Sequence, residues 1–179
     1  MATAAATVEE EGYIKTATNS YVSRAAVVEN PGKVELKGKS VLQPRTKIRG
    51  DLAAIRMGRY CFIGSRTELS PAPLGDGFIP MILRGNVCIG EDCRIEASAI
   101  GTNVYIGARS KVGPRCIVKD NCYIEEDTVL GGDTVIPPFS RVRGNPGKVV
   151  DELEPSASLE LQELAHACYQ DFVSRNPAT

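Results

Sequence analysis

The chain has 179 residues, enough for one domain with a real core and too few for two comfortable ones. Its 21 Lys+Arg balance 22 Asp+Glu, which argues against a dedicated nucleic-acid binder, whose affinity needs a surplus of cations facing phosphates. Seventeen glycines, many β-branched residues and no Trp suit strands and tight turns better than a helical bundle.

Residues 1–12, "MATAAATVEEEG", lack the basic and apolar regions of a signal peptide, and no run approaches the roughly 20 apolar residues that span a bilayer. The expectation is a cytosolic chain with a flexible N-terminus over 1–12. None of the six cysteines (61, 88, 93, 116, 122 and 168) are spaced C-x-x-C, which argues against a zinc ribbon or a dithiol redox site, and the cytosol keeps them reduced.

From residue 34 onward, aliphatic residues return every six positions. Leu36, Leu42 and Ile48 form one set, and Met57, Ile63 and Leu69 a second. Ile89 and Ile95 follow, and then Ile100, Ile106, Val112, Val118, Ile124, Leu130, Ile136 and Val142 run without interruption. Eight hits in a row have a chance probability on the order of 10⁻⁵ per starting point, so the repeat is real. A helix wants apolar residues at about 3.6 and a strand at 2. Six fits a solenoid: each unit supplies a short strand and a corner, three units make a triangular coil, and stacked coils bury the aliphatic column.

Two further columns accompany it. Four positions on stands a small residue: Ser110, Cys116, Cys122, Thr128, Thr134 and Ser140, with Cys61, Thr67 and Cys93 earlier. These read as small buried packers rather than redox or metal groups. Gly often follows the aliphatic residue, as at positions 58, 64, 90, 101, 107, 113 and 131, and reads as a backbone conformation closed to residues with a Cβ.

The spacing widens to nine between Ile48 and Met57, around "IRGDLAAIRMG". A longer break, 70–86, holds three prolines and three glycines and reads as a protruding loop. Phe78, Ile79, Met81 and Ile82 make it too apolar for a purely solvated one, so it is expected to make contacts. After "GNPGK" (144–148) the period changes. Leu161, Leu164, Cys168 and Phe172 lie on one face of a helix, with Ser156 or Ser158 as N-cap and Asn176 and Pro177 ending it. The expected organisation is therefore a solenoid over 13–150 and a helical tail over 151–179 that covers one face.

These columns resemble the hexapeptide-repeat proteins, over roughly 34–150. The resemblance implies an all-β solenoid, the left-handed parallel β-helix, with a C-terminal α-helix. The left hand comes from the resemblance alone and is an exception to the right-handed parallel crossover. Most members of that fold are enzymes. Acyltransferases use a histidine as general base, and γ-class carbonic anhydrases hold zinc through three histidines. Here the lone histidine, His166, sits on the tail helix and reads as a packing or surface residue.

"IRGDLAAIRMG" is similar to a segment of the γ-carbonic anhydrases. Carried along the hexads, the three zinc positions fall on Ser70, Glu91 and Glu96, which do not make a convincing zinc site. The glutamines and asparagines expected near the zinc-bound water are missing from "CFIGSRTELS". The expectation is no catalytic, cofactor-binding or metal residue. Arg49 and Asp51, kept from the shared segment, read as a buried or interfacial ion pair, and "GNPGK" as the exit turn of the fold.

Finer segments, "YIKTATNSYVSR" (13–24), "CIGEDCRIEASAIGTNVYIG" (88–107), "VIPPFSRVRGNPG" (135–147) and "YQDFV" (169–173), resemble a β-helical subunit family of the dynactin pointed-end complex. That resemblance implies a non-catalytic adaptor for cytoplasmic dynein in the cytoplasm and cytoskeleton, with early endosomes among its cargo. It implies as partners dynactin subunit 6 (a second β-helix), the pointed-end actin-related protein, the large pointed-end subunit and cargo adaptors. The competing readings are a γ-carbonic-anhydrase-like or acyltransferase enzyme, and a scaffold of another complex.

Overall fold

The computed structural model describes residues 12–177, so all but Gly12 of the N-terminal segment expected to be flexible lies outside the described residues. The fold is a left-handed parallel β-helix with one C-terminal helix, α1 (Ala157–Arg175). Short strands stack in parallel on three faces. The first face runs from Tyr21–Ser23 through Val41–Leu42 and Phe62–Ile63 to Cys122–Ile124 and Ser140–Gly144. The second stacks Val27–Glu29, Lys47–Arg49, Glu68–Leu69, Arg94–Ile95, Lys111–Val112 and Val129–Leu130. The third stacks Val34–Gly38, Ile55–Arg59, Ile117–Val118 and Val135–Ile136. Two longer strands, Met81–Ile89 and Ala99–Ile106, turn the corner between the first and third faces.

The aliphatic column points inward. Its eight members from Ile100 to Val142 are at most 3 % exposed and share one continuous core with the earlier sets. Strand register explains why: Ile63, Ile89, Ile106, Ile124 and Val142 are successive partners up the first face.

The corners are built differently from the sequence expectation. The residues with left-handed backbone are not the column glycines. They stand three positions after the aliphatic residue: Tyr60, Arg66, Asp92, Arg109, Arg115, Asn121, Asp127, Asp133 and Phe139, with φ between 56° and 61°. Asn and Asp tolerate this region, whereas Arg, Tyr and Phe adopt it at a cost that their surroundings must offset. The column glycines answer to sterics instead. A Cβ on Gly90 would lie 2.6 Å from the Ala108 nitrogen, and one on Gly107 2.7 Å from the Glu126 Cα. The next coil passes directly over Gly90 and Gly107.

The small column also does more than pack. Ser110 Oγ donates to the Glu125 carbonyl at 3.1 Å, Thr67 Oγ1 to Gly90 at 2.7 Å, and Cys122 Sγ to Pro137 at 3.2 Å. Each buried side chain thus donates to a corner carbonyl of the following coil; the Glu125 and Pro137 carbonyls also accept from Thr128 and Ser140 of their own coil.

The break at 70–86 divides in two. Pro73–Leu74 and Gly77–Phe78 form a two-stranded hairpin standing off a corner, and Arg115 Nη1 holds it by donating to the Pro73 carbonyl at 3.0 Å. Residues from Met81 belong to the solenoid: Met81 and Leu83 are core, and Ile82 points outward. Part of the apolar character that suggested a contact-making loop over 70–86, at Met81 and Ile82, comes from this strand.

α1 lies along the first face, against the strands Phe62–Ile63, Met81–Ile89 and Ala99–Ile106. Its 19 residues span about 28 Å, close to the height of six coils at roughly 4.8 Å each. It runs antiparallel to the stacking direction, with Leu161 near Tyr123 and Phe172 against Tyr13 and Tyr21. The buried stripe is Ala157, Leu161, Ala165 and Phe172. Leu164, expected on that face, is exposed, because two alanines let the backbone approach the Tyr105 and Tyr123 ladder and rotate the stripe by one position. Ser156 occupies the N-cap without a side-chain hydrogen bond, and Asn176 ends the helix.

Candidate functional site

The positions that carry zinc in the carbonic anhydrases are each engaged in other contacts. Ser70 is buried at the end of a strand, and its N–H donates to the Ile95 carbonyl at 2.9 Å. Glu91 sits on a corner and pairs with Arg66 at 3.1 Å. Glu96 accepts from Arg94 on the second face. Among the described residues no group of three or more His, Cys, Asp or Glu is placed to hold a metal ion. His166 stacks on the Tyr60 ring with centroids 3.9 Å apart, and its Nε2 lies 3.2 Å from Asn86 Oδ1. It joins α1 to a corner of the solenoid.

Arg49 and Asp51 do pair, in a two-point contact at 2.9 Å each. The pair is not buried: the two side chains are 28 % and 41 % exposed. The bend at Gly50, whose Cβ position is filled by the Glu29 carbonyl and Val34, turns both side chains outward.

The corner between the first and second faces carries an alternating charge column. Arg66 grips Asp92 through Nε and Nη2 at 2.8 and 3.1 Å, and Arg109 grips Asp127 in the same way at 2.8 and 3.2 Å. Arg115 holds Asp133 likewise on another corner. Each guanidinium holds its partner's carboxyl below the ordinary aspartate range, by hydrogen bonding first. This column was readable as the third position after each aliphatic residue, but its partners lie 18 or 26 residues apart, so no local window shows them.

The cysteines divide by environment. Burial pushes Cys61 up to about 12 and Cys122 up to about 11. Cys168 on α1 is half-buried and is held low by the neighbouring Cys88 thiol.

Among the described residues, no helix covers the third face. Outward positions in register there are Ile82, Ala99, Ile117 and Val135, on four successive coils. Ile82 is 38 % and Val135 54 % exposed. On the first face the equivalent outward ladder, from Val41 and Phe62 to Tyr105 and Tyr123, has its central part beneath α1. An aliphatic stripe left in water on a rigid parallel sheet is a docking feature rather than a catalytic one.

The family model described as dynactin subunit 5 matches residues 3–177. The chain belongs to the dynactin subunit 5 family. Dynactin subunit 5 of Dictyostelium discoideum is 35 % identical over 175 residues, covering 96 % of this chain and 88 % of that protein. Solved structures share the fold at low identity. A hexapeptide transferase family protein from Anaplasma phagocytophilum superposes with a TM-score of 0.68 at 18 % identity, over 89 % of this chain and 93 % of that one. An N-acyltransferase from Bacillus cereus gives 0.68 at 14 % identity, over 86 % and 88 %. At such identity the likeness carries the solenoid and no chemistry. Membership of the dynactin subunit 5 family makes this chain a dynactin subunit by descent, and no helix among the described residues is long and apolar enough to cross a membrane.

Proposed function

We propose that the chain is a non-catalytic subunit of the dynactin pointed-end complex, an assembly and cargo-targeting adaptor for cytoplasmic dynein on microtubules. Early endosomes are the cargo suggested by the resemblance, and the cytoplasm and cytoskeleton are the place of action. The observation that carries this reading is the match to dynactin subunit 5 along almost the whole chain. The uncovered stripe Ile82–Ala99–Ile117–Val135 supports it, since a flat apolar face suits a partner subunit. Dynactin subunit 6 is the proposed partner on that face. The pointed-end actin-related protein, the large pointed-end subunit and cargo adaptors complete the proposed assembly.

Affinity purification from native cytosol with mass spectrometry tests the class, and recovery of dynein and dynactin components is the expected result. Gel filtration with dynactin subunit 6 at micromolar concentration tests the pair. A chain that stays monomeric beside it, or a zinc-loaded homotrimer that hydrates CO₂ or transfers acyl groups, overturns the reading.

A further inference from the structure

The third face and its corner with the first face enclose a shallow cleft of about 540 Å³ against α1. Four cationic side chains line it: Lys37, Lys39, Arg59 and Arg84. Gly58 and Gly85 keep its floor at the level of the backbone, and His166, stacked on Tyr60, forms a wall. Lys39 Nζ donates to the Tyr60 hydroxyl at 3.1 Å, which fixes its head at the rim.

None of these four cations pairs with a carboxylate among the described residues. Arg66, Arg109 and Arg115, by contrast, are each held by an aspartate. The nearest acids on this side are already used. Glu35 faces Arg56 at 3.8 Å, and Asp120 accepts the Thr102 N–H at 2.7 Å. Among the described residues, no carboxylate completes this cleft.

The spacing says what kind of anion. Lys37, Arg59 and Arg84 stand on three neighbouring parallel strands, Val34–Gly38, Ile55–Arg59 and Met81–Ile89. Strands lie about 4.8 Å apart, so the cations spread over roughly 10 Å. One phosphate is too small to meet all of them. An extended chain presents every second side chain at about 7 Å, which suits such a row. A bilayer is flat and does not enter a recess walled by a helix. We propose that this cleft binds an acidic peptide segment of a partner protein, laid extended across three coils with its carboxylates on Lys37, Arg59 and Arg84. The inference stands apart from the choice of complex above.

The test uses the full chain and a fluorescein-labelled octapeptide of alternating glutamate and glycine, followed by fluorescence anisotropy. The expected result is saturable binding at 50 mM salt that weakens at 150 mM, as ion pairing requires. Arg59→Glu/Arg84→Glu should weaken it at least tenfold with the melting temperature unchanged, whereas Lys111→Glu on the second face should leave it intact. Binding that ignores the double reversal, or falls equally with Lys111→Glu, overturns the proposal. So does an absence of binding at 50 mM salt. Inorganic phosphate or phosphatidylserine vesicles binding this cleft more tightly than the peptide would also overturn it.

Discussion

Gly107 and Gly131 hold the same place in their hexads, one residue after the aliphatic position, yet only Gly107 has a coil stacked over it. A Cβ at Gly107 meets the backbone of Glu126, which cannot swing aside, whereas one at Gly131 meets nothing within 4 Å. Gly107→Ala is therefore expected to cost about 1–3 kcal/mol of unfolding free energy by overpacking, and Gly131→Ala to stay within about 0.5 kcal/mol. Urea titrations of the two variants compare them directly. The cysteines give a second expectation at this scale. Iodoacetamide at pH 8 should modify Cys168 first, because it is half-buried and its thiolate is favoured by the Cys88 thiol. Cys61, fully buried and pushed up to about 12, should stay unmodified until the chain unfolds. Peptide mass spectrometry over time reads both sites, and equal rates would show that the coils open.

At the scale of elements, the corner ladders and α1 carry the cross-coil bonding. Asp92, Asp127 and Asp133 are held below the ordinary aspartate value of about 3.9 by their arginines. Their contribution is thus complete above about pH 4 and is lost as pH falls through their lowered folded values. Melting temperature should fall in that acid window, and Arg109→Gln should flatten the fall. These residues are exposed, so the same contribution should shrink in high salt. For α1, Phe172 meets the Tyr13 and Tyr21 rings with centroids 4.7 and 5.3 Å away. Phe172→Ala should cost about 3 kcal/mol, and Leu164→Ala, at an exposed position, within about 0.5 kcal/mol. The existence of α1 was legible, because apolar spacing of three and four is a local pattern. Its exact stripe was not: Leu164 and Ala165 are adjacent, and the ladder of Tyr105 and Tyr123 beneath decides which one faces inward.

At the scale of the molecule, the chain is a rigid prism with one face covered by its own helix and another left apolar. If the uncovered face docks a subunit, Ile117→Asp should abolish co-purification with dynactin components and leave the melting temperature nearly unchanged, since the position is outward-facing. A large drop in melting temperature would instead make the stripe part of the fold's own packing.

The period of six was enough to place the aliphatic column inward, because each hexad carries its own strand and corner and stacking only repeats them, but not Ile55, Met81, Leu83, Val87 and Val104, which are core outside that column. The lack of histidines in the repeats was likewise written in the order of residues. The tertiary structure alone decided where the strain lies, on Tyr60, Arg66, Arg109, Arg115 and Phe139 rather than on the column glycines, and what most of those glycines are needed for. It also decided which acids neutralise which arginines, and that Lys37, Lys39, Arg59 and Arg84 are left over. The physical reason is distance: these interactions join coils 17 to 26 residues apart, and the hairpin at 73–78 shifts the count. A periodic sequence specifies each coil, while charge and surface are settled only when the coils are stacked.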